Sequence, residues 1–218
     1  RSTLAYANAN RPWSLYQTVF EQLLAKCQSA VAGRGSGKKF RFKNKLVSLD
    51  ASVIDLSLSL FDWADFRQTK GAVKLHLLLD HDGYLPVFAT ITDGKTHEVH
   101  TLRLLNLPKG SILVCDRGFT DYEMFHQWTQ AGIFFVMRLR SSADFRVIEE
   151  RPVPQRGNIL ADQLIEFNGW ASHKKCPIAL RRIVVWDDRS QSEIGLVTNH
   201  FSFGPTTIGQ VYRDRWEI

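Results

Sequence analysis

The chain predicts a mixed α/β fold. Between residues 46 and 139 the hydrophobic pattern runs strand, hairpin, helix, strand, helix, strand, the order of a mixed sheet flanked by helices. Two apolar strands in that order lead into an acid: LVSLDASVID (46–55) carries Asp50, and SILVC (111–115) runs into Asp116. In such sheets ligands gather at strand ends. Residues 141–205 change character, with short strand-like runs between loops rich in Pro, Gly, Asn and Asp, and read as a β-rich insertion rather than an independent domain.

Residues 12–32 pair Pro12 near a helix start with Leu15, Val19, Leu23, Leu24, Cys27 and Val31 at spacings of three and four, a helix leaning on the next domain. Residues 33–45, GRGSGKKFRFKNK, hold three glycines and six Lys or Arg. They read either as a solvated linker or as a phosphate-contacting loop, with Phe40 and Phe42 as anchors or base-stacking groups. In 46–55, Leu46, Val47, Leu49, Val53 and Ile54 predict a buried strand. Asp50 breaks that run, either as a structural cap or as a metal ligand presented at the strand end.

Residues 72–79 and 84–91 predict a hairpin across Asp80-His81-Asp82-Gly83, since Asp-Gly is a strong turn signal. Pro86 marks the second strand as an edge or a bulge. Turn chemistry accounts for Asp80 and Asp82 better than a metal does. Thr96, Val99, Leu102 and Leu105 predict a capped helix ending before Pro108. After the strand at 111–115, Gly118 permits a tight exit; a helix over 121–130 and a strand over 133–139 come next. Strands are expected at 146–148, 178–186 and 194–198. A last helix begins at Thr206, and the sequence stops inside it.

The 218 residues carry a net charge of +6, which favours a polyanionic partner modestly. There is no run of about 18 apolar residues, the length of a membrane span. Three scattered cysteines, Cys27, Cys115 and Cys176, fit a reducing compartment and no disulfide framework. No Cys/His cluster suggests zinc.

Strand-end carboxylates in a basic chain suggest metal-dependent phosphoryl transfer. Mg²⁺ takes oxygen ligands, and two ions about 4 Å apart can act on the attacking and leaving oxygens. LDASVID, DGYLP, CDRGFTDYE and YRDRW, in that order, together resemble the DDE-type transposases of bacterial insertion sequences. The resemblance runs from about Arg11 to the end.

It implies a ribonuclease H-like mixed sheet with flanking helices and a β-rich insertion before the last catalytic helix. The division is then a helix and basic linker (1–45), the core (46–140), the insertion (141–205) and the start of the catalytic helix (206–218). Asp50 and Asp116 match the first two catalytic acids and would bind two Mg²⁺ or Mn²⁺ ions. Tyr212 and Arg215 match the Y-x2-R-x3-E-x6-K signature and would grip phosphates. That signature puts the catalytic Glu immediately after Ile218, so the chain is expected to be a fragment with two of three carboxylates.

Glu217 is a poor substitute. At about 100° per residue it falls about 140° from Tyr212, whereas the position after Ile218 falls about 20° away. Lys70, Lys74 and Arg117, with Arg138, are candidate DNA contacts or plain surface charge. The implied partners are transposon ends and target DNA, with a homodimer on paired ends, in the bacterial cytoplasm at the nucleoid. Two rivals keep the fold: a nuclease of the same superfamily, and a truncated, inactive DNA-binding remnant.

Overall fold

In a computed structural model the chain is described over residues 3, 6–7, 10–32, 39–56, 65–67 and 70–215. Among the described residues ten strands form one mixed sheet. β1 (Leu46–Leu56) pairs antiparallel with β3 (Lys70–Asp80) and parallel with β5 (Ile112–Cys115). β3 carries β4 (Leu85–Asp93) and the three-residue β2 (Asp65–Arg67). β5 pairs parallel with β6 (Phe134–Arg138). The central order is β4-β3-β1-β5-β6. β10 (Ser192–Thr198) then adds antiparallel to β6, and β9 (Leu180–Asp187), β8 (Ile159–Phe167) and β7 (Phe145–Glu150) extend the sheet outward.

Both faces of the central strands are covered, which is why β5 is buried at every residue and reads as an unbroken apolar run. Side chains alternate between faces. Val47, Leu49, Leu113, Cys115, Phe135 and Met137 join one core with Phe125 and Trp128 of α3 (Tyr122–Ala131). Leu46, Ile112, Val114 and Val136 join the other with Ile208, Val211 and Tyr212 of α5 (Pro205–Asp214). α3 starts where Asp121 accepts from the backbone of Glu123 and Met124, and stops at Gly132, whose φ is +70°.

Several expectations are corrected. β1 covers the expected 46–55 and one residue more, but Asp50 lies inside it rather than at its end, and Val53 and Ile54, expected to be buried, are exposed. The antiparallel partner β3 is itself eleven residues long and pairs with β1 from Val47 to Leu56. The helix expected from Thr96 shrinks to α2 (Val99–Leu102): Thr96 is spent on a turn around Asp93, donating to its carboxylate through both backbone and hydroxyl. Gly118 is not needed for its backbone conformation, because it is absent from the positive-φ positions. A Cβ there would meet the Glu98 carboxylate at 2.0 Å.

β8 and α4 (Trp170–Lys175) went unforeseen. Pro86 does lie on the edge strand β4, beside a register shift at Leu78/Leu79. The long helix α1 (Trp13–Ala32) forms as expected, with Trp13, Leu15, Tyr16, Val19, Phe20 and Leu23 exposed. Among the described residues no helix is long and apolar enough to cross a membrane.

Candidate active site

β1 and β5 run parallel in register, and Leu49 faces Cys115 at the last pair. The next residue in each case is an aspartate: Asp50 within β1, and Asp116 directly after the end of β5. Neighbouring strands lie about 4.8 Å apart, so the Asp50 and Asp116 backbones stand side by side. Leu49 and Cys115 point into the α3 core; Asp50 and Asp116 therefore point to the α5 face. The two acids, remote in sequence, share one spot.

Asp50 is solvent-facing, with its side chain 62% exposed, and its Oδ1 accepts from Arg215 Nη1 at 3.3 Å. The Asp116 Oδ1 accepts from the backbone N–H of Arg117 at 2.7 Å and caps a 3₁₀ turn, Arg117–Phe119. The capping role considered for Asp50 thus belongs to Asp116. Cys115, directly beneath, senses the whole group. Burial pushes its thiol well above the usual value; Arg215 opposes this, and the charges of Asp116 and Asp50 add to it. The Tyr212 hydroxyl is likewise raised by burial first, against Arg215 and with Asp116.

Tyr212 and Arg215 are both buried. The guanidinium lies 5.5 Å from the Tyr212 ring centroid, a cation–π distance. In this arrangement neither side chain offers a surface to DNA: Tyr212 is a packing residue of the α5 core, and Arg215 is turned onto Asp50. Arg117 is exposed, and its carbonyl accepts from Arg140 Nε at 3.3 Å. Lys74 is directed to the Thr96 carbonyl (3.0 Å) and the Glu98 carboxylate (3.7 Å). Lys70 opens β3, but its side chain lies outside the described residues, as does Glu217.

The chemistry of the donors fits a hard divalent cation: two carboxylates on adjacent strands, one open to water. Mg²⁺ is commonly held by one or two carboxylates plus waters and substrate phosphates. Among the described residues no group of three His, Cys, Asp or Glu could hold a metal. Asp80 and Asp82 belong to turn chemistry, since the Asp82 N–H donates to Asp80 Oδ1 at 2.9 Å and Lys45 pairs with Asp80.

One neighbouring network escaped the sequence reading. Asp214, 1% exposed, is paired with Lys39 and lies 2.5 Å from His81 Nδ1; the other ring nitrogen, Nε2, is 2.5 Å from Ser48 Oγ. The Tyr84 hydroxyl donates to Asp214 at 3.3 Å. Burial alone would raise the Asp214 carboxyl, yet hydrogen bonds and charge from Lys39 and His81 bring it below its usual value. The available signal was Ser48, a polar residue two before Asp50 on an apolar strand and so on the same face. Phe40 and Phe42 stack on each other at 5.1 Å, and Phe42 lies 4.8 Å from Phe203; they are anchors of the loop that delivers Lys39.

The chain is similar to several known proteins. A protein of Sinorhizobium fredii that carries a transposase name is 26% identical over 219 residues, covering 99% of this chain and 59% of that protein. A second, named for insertion sequence element IS5377 of Geobacillus stearothermophilus, is 22% identical, covering 100% of this chain and 56% of the relative. The chain therefore spans somewhat over half the length of these relatives. A solved piggyBac transposase synaptic complex with hairpin DNA overlaps 99% of this chain and 44% of its own, at 12% identity and a TM-score of 0.48. The family described as the transposase DDE domain matches residues 41–218, and the chain belongs to that family.

Proposed function

We propose that this chain is the catalytic portion of a DNA transposase that cuts transposon ends and joins them to target DNA by phosphodiester transesterification. The observation that carries the reading is the side-by-side placement of Asp50 and Asp116 on paired parallel strands, with Arg215 on Asp50. We read 46–140 as the catalytic core, 141–205 as the insertion, 1–45 as a helix and basic linker, and 206–218 as the start of the catalytic helix. The residue following Ile218 would supply the third carboxylate, and two copies would act on paired ends.

Asp50 and Asp116 would hold divalent cations, Mg²⁺ or Mn²⁺, two per site. When bound, these would polarise the scissile phosphodiester and favour ionisation of the attacking hydroxyl. Asp50 is the open ligand and would face both ions. Asp116 is fixed by its bond to the 3₁₀ turn, so its carboxylate is oriented before anything binds. Arg215 balances the acidic pair and holds the Asp50 rotamer, a charge-assisted contact. Exposed Arg117 would meet the DNA backbone beside Asp116, and Lys70 remains a proposed contact. Lys74, tied to Glu98, would serve the fold first.

The test uses the intact protein. Asp50→Asn and Asp116→Asn should each lower strand cleavage at least about 100-fold, the scale of losing transition-state charge stabilisation, with DNA affinity retained. Cleavage near the wild-type rate in either variant would end the reading. Cleavage without any joined product from 3′-hydroxyl ends would instead identify a nuclease.

A further inference from the structure

Ser48, His81 and Asp214 touch in the order of a nucleophilic triad. Ser48 is only 2% exposed, inside the β1 ladder and beneath α5, so no substrate reaches it. A different role fits the placement. Ser48 and Asp50 are alternate residues on one face of β1; Asp214 and Arg215 are consecutive at the end of α5. Asp214 reaches Ser48 through His81, and Arg215 reaches Asp50 directly. The helix end is thus gripped at two points along the strand that carries the first catalytic acid.

We infer that the Ser48–His81–Asp214 relay, closed by Lys39 and Tyr84, is a positioning device that fixes the rotation and height of α5 over β1, and so sets where the residues beyond it meet the metal site. The inference rests on the proposed function for its catalytic consequence, but not for the grip itself. Apolar contacts from Ile208 and Val211 hold α5 to the sheet; such contacts are non-directional and leave the helix free to roll or slide. Hydrogen bonds fix direction. Their partners come from three separate stretches: β1, the β3–β4 turn and the basic loop after α1. Tyr84 sits at φ +54°, a backbone region that bulky residues rarely enter, and that conformation goes with a ring beside His81 (5.4 Å) and a hydroxyl on Asp214.

The test has two arms. In this chain, amide exchange should accelerate over 205–215 by about fivefold in Ser48→Ala and several-fold more in Asp214→Asn, as for loss of a neutral and a charged hydrogen bond. β5 and β6 should exchange as in wild type. In the intact protein, Ser48→Ala should lower kcat for strand cleavage by up to about 100-fold, as misplaced catalytic groups do, while KM for DNA holds and Ser48→Thr restores part of the rate. Unchanged exchange over 205–215, a uniform rise across the whole sheet, or a rise in KM with kcat intact would overturn the relay. Wild-type cleavage by Asp50→Asn would sink the transposase reading alone, because the exchange arm would still decide the grip.

Discussion

Two helices of ten residues cover the two faces of the same sheet, and they are held by different physics. α3 rests on apolar burial and well-formed ends. Phe125 stacks on Phe135 at 4.5 Å with the rings nearly parallel, Trp128 packs beside them, Asp121 caps the start and Gly132 the finish. α5 has no side-chain cap at its start, and its last residues bury charge: Asp214 on His81 and Lys39, Arg215 on Asp50. Burying charge is costly unless every group is paired. A helix whose only task was to cover a sheet would resemble α3. The polar end of α5 makes sense if its position, rather than its mere attachment, matters.

The sharpest way to break the contrast is to empty the α3 core. Phe125→Ala should cost about 3–5 kcal/mol, the range for deleting a fully buried aromatic ring, read as a lower denaturation midpoint. A loss below about 1 kcal/mol, far under that range, would mean that α3 is not held by apolar packing.

Acid should act on the other helix. The loop into α5 holds His200 between Phe134 (4.2 Å) and Phe203 (3.7 Å), and its Nδ1 accepts from the Phe203 N–H at 3.3 Å. That acceptor must be unprotonated. Burial, then the nearby Arg181, lowers its pKa to about 4. Between about pH 6.5 and 4 the unfolded chain binds a proton that the folded chain refuses, so stability is intact above pH 6.5 and falls as pH drops through this window. The total is at most roughly 3 kcal/mol. Stability measured across the window should flatten in His200→Gln. Exchange over α5 should quicken before α3 as pH falls; a simultaneous response would erase the distinction between the faces.

The same contrast explains what the sequence could and could not reveal. Short apolar, β-rich runs exposed β1, β5 and β6, and the helix expected over 121–130 is α3. Asp50 and Asp116 were legible because each interrupts or ends an apolar run. The register that brings them together was not, since no local pattern encodes which strands pair. Asp214 and His81 were hidden for a related reason. In YRDRW the Asp looks like ordinary surface charge on a helix, and in DHDG the His looks like part of a turn. Only the long-range contact of 81 with 214 turns either into a buried partner. The strand over 46–55 was legible, but the exposure of Val53 and Ile54 was not, because β1 and its partner β3 continue together past the acid, a tertiary effect that local signals do not carry.

The smallest effects should come from one glycine at each helix. Gly132 ends α3 at φ +70°, and a Cβ there would meet the Lys109 side chain at 3.0 Å. Gly132→Ala should therefore destabilise by about 1 kcal/mol, because a side chain in the left-handed region is strained whatever the space. Gly204, the N-cap of α5, has φ −62° and nothing within 4 Å of an added Cβ. Gly204→Ser can supply the missing cap and removes unfolded-state freedom, so it should stabilise by about 0.5 kcal/mol. Paired denaturation midpoints check both signs. If Gly204→Ser also destabilises, the uncapped start of α5 is part of how the helix is placed, and the polar grip at its far end is not sufficient by itself.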